Sequence, residues 1–242
     1  METNVTKDSI KLFVSWSTGK MGQSLSDTLV KKQKGDDPFY EFLEIVSFDF
    51  IENKKLWGSS VIIDFSEACF SLEILKQAVT KKIPMIIGTT GFDEEQHEAI
   101  KEVSKQIPLV LAPNTSLGIT VLKEMLYAVK NHLDNHKIEI IEKHHKDKKD
   151  LPSGTSKDIA KFIENNLHSE KISIESIRED ESTGEHSVSL LKEHEALTIS
   201  HKVTNRSVYS EGALLAAGWL DGMREFPGLY HMSDVYVPFE ED

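Results

Sequence analysis

The chain has 242 residues, with 40 acidic side chains against 28 basic ones, a formal net charge of −12 and a single cysteine. Self-repulsion at that charge disfavours general binding to nucleic acid or anionic membrane, and one cysteine allows no intramolecular disulfide, which fits a reducing compartment. The polar stretch Met1 to Ser9 has no leader-like apolar core, and no apolar run approaches the ~18 residues of a membrane span, so a cytoplasmic globular protein is expected. The length suits two unequal domains sharing a cleft.

In chain order, Ile10 to Ser15 is a short apolar run, followed by Ser17-Thr18-Gly19 and a helical pattern to about Lys32. Met21, Leu25, Leu29 and Val30 are placed on one face of that helix. Gln33 to Asp37, closed by Pro38, reads as a loop. Leu43 to Phe48 is a strand ending at Asp49, and Val61 to Asp64 a buried one, with Ser66 as N-cap of the next helix. Cys69, among helix-type residues, is expected to pack as a small hydrophobe. Pro84 to Ile87 is a strand ending at Gly88-Thr89-Thr90-Gly91. A helix from about Glu94 to Lys105 then leads to a strand at Leu109 to Leu111, ending at Ala112-Pro113-Asn114.

This alternation predicts parallel βαβ units in a doubly wound, Rossmann-like α/β domain. Right-handed crossovers would bring the turns after the strands to one edge, where such sheets bind ligands. The second half differs. A helix over Leu117 to Leu133, a strand over Lys137 to Lys143, a His/Lys loop and a helix from about Thr155 to Asn166 are followed by three strand-like runs, at Ile172 to Ile177, Ser187 to Leu191 and Leu197 to Val203. That predicts an α+β domain on an open mixed, mostly antiparallel sheet. Ser207 to Asp221 returns to helix.

Three turns on the expected ligand edge carry chemistry. A dinucleotide turn uses closely spaced glycines so that backbone N–H groups and a helix start can reach a pyrophosphate. Gly19 and Gly22 hold that spacing, but its first position is Trp16. A P-loop is a poorer match, because Lys20 precedes Met21 rather than Ser or Thr. Asp49 stands where an acid holds the adenine-ribose hydroxyls, and Phe50 follows where an arginine would favour a 2′-phosphate, so NADH is favoured over NADPH. Thr89 and Thr90 could serve both a cofactor and a substrate carboxylate.

The richest segment runs from Glu142 to Thr155. Ser153, after Pro152, is placed as an N-cap, so that N–H groups near Gly154 and Thr155 favour an anion, a carboxylate above all. His144 and His145 point to opposite sides of extended chain, one suited to acid–base work and the other to holding substrate. Lys148 offers a proton donor or a charge for a dianionic ligand. No metal is expected here, since the surrounding lysines repel a cation and the segment itself holds no i,i+4 histidine pair.

Glu142 to Thr155 resembles the E-x-H-H-x-x-K-x-D-x-P-S-G-T pattern of the dihydrodipicolinate reductases of lysine and diaminopimelate synthesis. Gly19 to Gly22, Asp64-Phe65-Ser66, Gly88 to Phe92, Ala112-Pro113-Asn114, Gly184-Glu185-His186, Ile199 to Lys202 and Gly228-Leu229-Tyr230 continue the likeness in order. The resemblance implies hydride transfer from NAD(P)H to the ring carbon losing a hydroxyl, with a proton delivered to its neighbour. It implies His144 as acid/base and Lys148 as proton donor. It assigns His145, Gly154 and Thr155 to substrate, to which the helix cap and the paired threonines add Ser153 and Thr90. It assigns Trp16, Ser17, Thr18, Gly19, Lys20, Met21, Asp49, Gly88, Thr89, Thr90, Ala112, Pro113, Asn114 and Thr115 to cofactor. It further implies a homotetramer built through the second domain's sheet. The dinucleotide domain is expected over 1–114, completed by 207–242, and the substrate and oligomerisation domain over 115–206. Three positions depart from the family: Trp16 replaces its first glycine, Thr115 a common aromatic, and the strand before Gly184 lacks Arg-x-Gly. Two rival readings are a non-catalytic nucleotide-binding relative and another nicotinamide oxidoreductase acting on a dicarboxylate.

Overall fold

The computed structural model describes residues 9–48, 60–133, 136–146, 148, 150–167, 171–180 and 184–236. They divide into two compact units, the first over Met1–Thr115 and Tyr209–Asp242, the second over Ser116–Val208.

Unit 1 is a parallel sheet covered on both faces. Its strands are β1 (Ile10–Ser15), β2 (Leu43–Phe48), β3 (Val61–Asp64), β4 (Met85–Ile87), β5 (Pro108–Leu111) and, late in the chain, β10 (Gly228–Tyr230). They lie in the order β10-β5-β4-β3-β1-β2, and every pairing is parallel. Alternate residues of each strand feed opposite cores, as the period of two dictates. Leu12, Val14, Val61 and Ile63 pack with α1 (Lys20–Gln33) and with Ala213, Leu214, Ala217 and Leu220 of the later helix over Ser207–Gly222. Phe13, Ile62, Met85 and Ile87 pack against α2 (Ala68–Lys81) and α3 (Glu94–Val103). Helix α3 starts on a capping box, in which Asp93 accepts from Gln96 N while Gln96 bonds back to Asp93 N.

Unit 2 holds α4 (Leu117–Ala128), β6 (Lys137–His145), α5 (Gly154–Leu167), β7 (Ile172–Glu179), β8 (Glu185–Lys192) and β9 (Glu195–Lys202). The strand order is β7-β6-β8-β9, parallel between β6 and β7 and antiparallel elsewhere. Ile138 and Ile140 on β6 join Ile119, Leu122, Leu126, Ile159 and Ile163 in one core. The last helices are α6 (Ser207–Gly222) and α7 (Met232–Tyr236).

Several expectations change. Val30 is exposed and only Leu25 and Leu29 of its group are buried, because the apolar stripe here is narrower than the pattern suggested. Ser66 does not cap α2; Glu67 holds the N-cap position without a side-chain bond. Cys69 is exposed, since the first turn of α2 stands clear of the core. The loop closed by Pro38 is followed by a 3-10 turn over Pro38–Phe42 that the sequence pattern did not show, started by Asp37 accepting from Phe39 N. His144 and His145 belong to the strand rather than to a loop, because β6 stays paired with β7 through His145, two residues beyond the last pair with β8.

Candidate active site

On β6 one face reads Ile138, Ile140, Glu142, His144, all buried, so the apolar core passes into a polar cluster at the strand's carboxyl end. The sheet register supplies its neighbours: Glu142 lies opposite His186 on β8, and His144 opposite Arg178 on β7. Ser153 caps α5 by accepting from Ser156 N at 3.2 Å, in the manner of a helix N-cap. Cross-strand pairing and a capped helix start thus bring six polar side chains together.

Glu142 is fully buried. It accepts from Ser153 N (3.0 and 3.1 Å), Ser156 Oγ (2.6 Å) and Arg178 Nη2 (3.0 Å). Burial alone would raise its pKa. The hydrogen bonds from Ser153, Ser156, Ser176 and Arg178 outweigh that and hold the carboxyl at about 2. Arg178 also donates to the Asp150 and Ile177 carbonyls, so one guanidinium ties β7 to the loop before α5.

His144 Nε2 lies 3.3 Å from His186 Nε2, which is also 3.4 Å from Ser153 Oγ. Burial, with the charge of Lys148 behind it, pushes His144 down to about 4; burial and His144 push His186 to about 3. Both rings are neutral at pH 7, so one donates N–H to the other's lone pair. Lys148 Nζ sits 2.8 Å from Asp150 Oδ1, and Asp150 Oδ2 accepts from Gly154 N at 3.2 Å. Burial raises the Asp150 carboxyl, but the Lys148 hydrogen bond and charge, with the Gly154 N–H, bring it below its ordinary range.

The helix start therefore holds two of the chain's own carboxylates. The Gly154 N–H, expected with that of Thr155 to face a ligand, is met by Asp150, and the Ser153 N–H by Glu142, because orphan N–H groups take whatever anion lies within reach. His145, on the opposite face of β6 from His144, and Thr155 stand beside this cluster.

Glu142, His144 and His186 bring ligand-type atoms within 4.8 Å of one another. The donor set suits hydrogen bonding better than a cation. Both Glu142 oxygens are taken by donors, with the Arg178 guanidinium in contact and the Lys148 charge nearby.

The glycine turn lies on unit 1. Trp16 has φ +57°, the left-handed conformation that a glycine adopts without strain, so the turn keeps a glycine's backbone. Gly19 N donates to Trp16 O at 2.9 Å, and Gly19 is the N-cap of α1. Ser17, Thr18, Lys20 and Met21 complete the turn, and the Thr18 carbonyl accepts from Gln23 Nε2. A Cβ on Gly22 would run into the Ser17 backbone, the close approach that a dinucleotide turn requires of that glycine. These features fit a bound dinucleotide.

The next two turns are braced from within. Buried Asp64 accepts from Ser15 Oγ and from Thr89 Oγ1 (2.8 Å), so the Thr89 hydroxyl fixes the loop at Gly88 and Thr90 rather than facing outward. Thr115 likewise donates its hydroxyl to the Tyr209 carbonyl at 2.6 Å, just beyond buried Ala112 and half-buried Pro113 and Asn114. Asp49 lies outside the described residues.

Arg178, His186 and Ser156 were not among the expected site residues. Arg178 stands in Arg-x-Asp rather than Arg-x-Gly, with Asp180 at the glycine position, where it pairs with Lys146 at 2.8 Å. His186 lies in the Gly184-Glu185-His186 likeness, but its place opposite Glu142 is set by strand register, and Ser156 was legible through its spacing three residues after the Ser153 cap.

Among the described residues no helix is long and apolar enough to cross a membrane. Residues 41–115 match the family pattern described as Dihydrodipicolinate reductase, N-terminus, and residues 118–236 that described as Dihydrodipicolinate reductase, C-terminus. The chain is 32% identical to the 4-hydroxy-tetrahydrodipicolinate reductase of Buchnera aphidicola subsp. Cinara cedri, across 95% of this chain and 97% of the relative. It is 35% identical to that of Caldanaerobacter subterraneus subsp. tengcongensis, across 93% and 98%. A dipicolinate-bound dihydrodipicolinate reductase from Paenisporosarcina sp. TG-14 shares the fold, with a TM-score of 0.67 at 20% identity over 92% of this chain and 97% of that one. With both halves matched in order and near-full-length relatives above 30% identity, the chain belongs to the dihydrodipicolinate reductase family.

Proposed function

We propose that this chain reduces 4-hydroxy-tetrahydrodipicolinate to tetrahydrodipicolinate with NAD(P)H, in lysine and diaminopimelate biosynthesis. The observation that carries the reading is Lys148, fixed by Asp150 beside neutral His144 at a capped helix start, in a chain of this family. A bound nicotinamide supplies hydride to the ring carbon that loses its hydroxyl; one proton enters at the neighbouring carbon and one water leaves.

Lys148 delivers that proton, since its ammonium is aimed by Asp150. A neutral imidazole with pKa near 4 is a poor acid at pH 7, so His144 acts through its lone pair or ring N–H, steadied by His186. His145, Ser153, Gly154, Thr155 and Thr90 hold the substrate. One of its carboxylates takes the Gly154 end of α5 in exchange for Asp150, where the helix dipole favours it.

The cofactor is held by unit 1, its pyrophosphate at the turn of Trp16 to Met21 and its nicotinamide end along Gly88 to Thr90 and Ala112 to Thr115. Asp49 takes the adenine ribose and NADH is preferred. The assembly is a homotetramer joined through the four-stranded sheet, a reading supported by edge strand β9, whose Leu197 is exposed. The compartment is the cytoplasm.

The test is oxidation of NADH and of NADPH with substrate generated in situ from pyruvate and aspartate semialdehyde. Turnover is expected with at least one. Folded protein that oxidises neither refutes the proposal.

A further inference from the structure

From β1 the chain runs outward to β2 and returns to β3 on the other side of β1, so the strand order reverses between β1 and β3. In open parallel sheets, ligands bind beyond the carboxyl ends of the strands at that reversal. Two large aromatic rings stand there. Trp16 is the first residue after β1, and Phe70 lies in the first turn of α2, the helix that follows β3. Their ring centroids are 5.8 Å apart at 56°, and Trp16 is 50% exposed and Phe70 37%.

The position of the indole is specified by its surroundings. Trp16 keeps φ +57°, which bulky side chains avoid. Its ring lies over Gly19, where a Cβ would stand 2.6 Å from Trp16 Cδ1, so the missing side chain makes room for the indole. A strained backbone, a glycine seat and an aromatic neighbour thus hold a ring that leaves half its surface in water. Strain of this kind collects where it serves binding.

We propose that Trp16, flanked by Phe70, forms a stacking platform for the adenine base of the dinucleotide, at a turn position whose left-handed backbone would suit a glycine. The inference rests on the cofactor reading above. An uncharged aromatic face suits a neutral base better than a phosphate. The nicotinamide end belongs to the ends of β4 and β5, farther along the sheet, which leaves the adenine end for the reversal beside β1.

The test uses binding without substrate, by calorimetry and by quenching of tryptophan fluorescence. NADH is compared with reduced nicotinamide mononucleotide, which lacks the adenosine, in wild type, Trp16→Gly and Trp16→Phe. Base–aromatic stacking of ordinary strength corresponds to roughly a 5- to 100-fold weaker Kd for NADH in Trp16→Gly. Reduced mononucleotide should bind all three proteins alike, and Trp16→Phe should recover most of the NADH affinity. Glycine suits the left-handed backbone, so a loss in Trp16→Gly is not a folding defect. Equal or tighter NADH binding by Trp16→Gly overturns the proposal, marking the indole as a bystander or an obstruction. Equal weakening of both ligands also overturns it, because the ring would then act on the turn. Wild type that binds neither NADH nor NADPH would instead overturn the cofactor reading itself.

Discussion

Replacing Glu142 by glutamine probes the buried centre of unit 2 with little change of shape. Holding the carboxyl at about 2 against an ordinary 4.5 corresponds to about 3 kcal/mol of stability at neutral pH. Glutamine keeps one carbonyl acceptor but turns an NH2 toward donors from Ser153, Ser156 or Arg178, and it leaves a largely buried guanidinium without its anion. A loss of about 3 kcal/mol is expected, which lowers Tm by about 6–12 °C for a chain of this size. The pH dependence follows from the direction of the shift. A depressed carboxyl contributes fully above pH 4.5, and its contribution fades as pH falls toward 2. Urea unfolding of wild type and Glu142→Gln at pH 7 and near pH 3 should therefore show a gap that narrows to about 1 kcal/mol. A gap below about 1 kcal/mol at pH 7, or one of equal size at both pH values, would refute the reasoning.

Three further outcomes are expected. Lys148→Ala should lower kcat by about 100-fold or more while leaving the Kd for dinucleotide within about twofold, as befits a proton donor; equal losses in both would mark it as a structural or cofactor residue. His144, held near 4 chiefly by burial, should stay neutral down to that pH in an NMR titration of its ring, and the pH–rate profile should show no His144 step near the ordinary 6.5. A midpoint near 6.5 would contradict the buried geometry. Gly22→Ala should place a Cβ against the Ser17 backbone, costing about 1–3 kcal/mol by overpacking and weakening NADH binding. Calorimetry and melting curves matching wild type would show that the turn has room to spare.

What the residues disclosed in advance was local. Strands with apolar runs and helices with a 3.6-residue stripe were legible for most of unit 1, because each buries a face set by its own period. The three-residue strand β10 and the 3-10 turn at Pro38–Phe42 were too short for any period to show. The loop from Glu142 to Thr155 stood out by composition, yet its partners did not. Arg178 and His186 reach Glu142 and His144 only through the pairing of β7, β6 and β8, and register between strands is a tertiary property. Cys69 shows the opposite error, since a residue type that usually packs inside lies on the exposed side of a helix start.

The two carboxylates at the start of α5 differ in a way that assigns them different tasks. Glu142 is fully buried and accepts from the Ser156, Ser176 and Arg178 side chains and a backbone N–H, so removing it leaves donors and a guanidinium without this acceptor. Asp150 has a side chain 32% exposed and holds Lys148, its own backbone N–H and that of Gly154, the last of which a substrate carboxylate could satisfy equally well. Exchange of one carboxylate for another at Gly154 leaves the count of charged hydrogen bonds nearly unchanged, whereas exchange at Ser153 would dismantle the cluster that positions His144. On the proposed reaction, Glu142 would be the permanent anion of the site, and the Gly154 end of α5, held by Asp150, the place where an incoming dicarboxylate competes. There the carboxylate would displace Asp150 from Gly154 N while Asp150 keeps Lys148 aimed, so the proposed proton donor would stand in place as the substrate arrives.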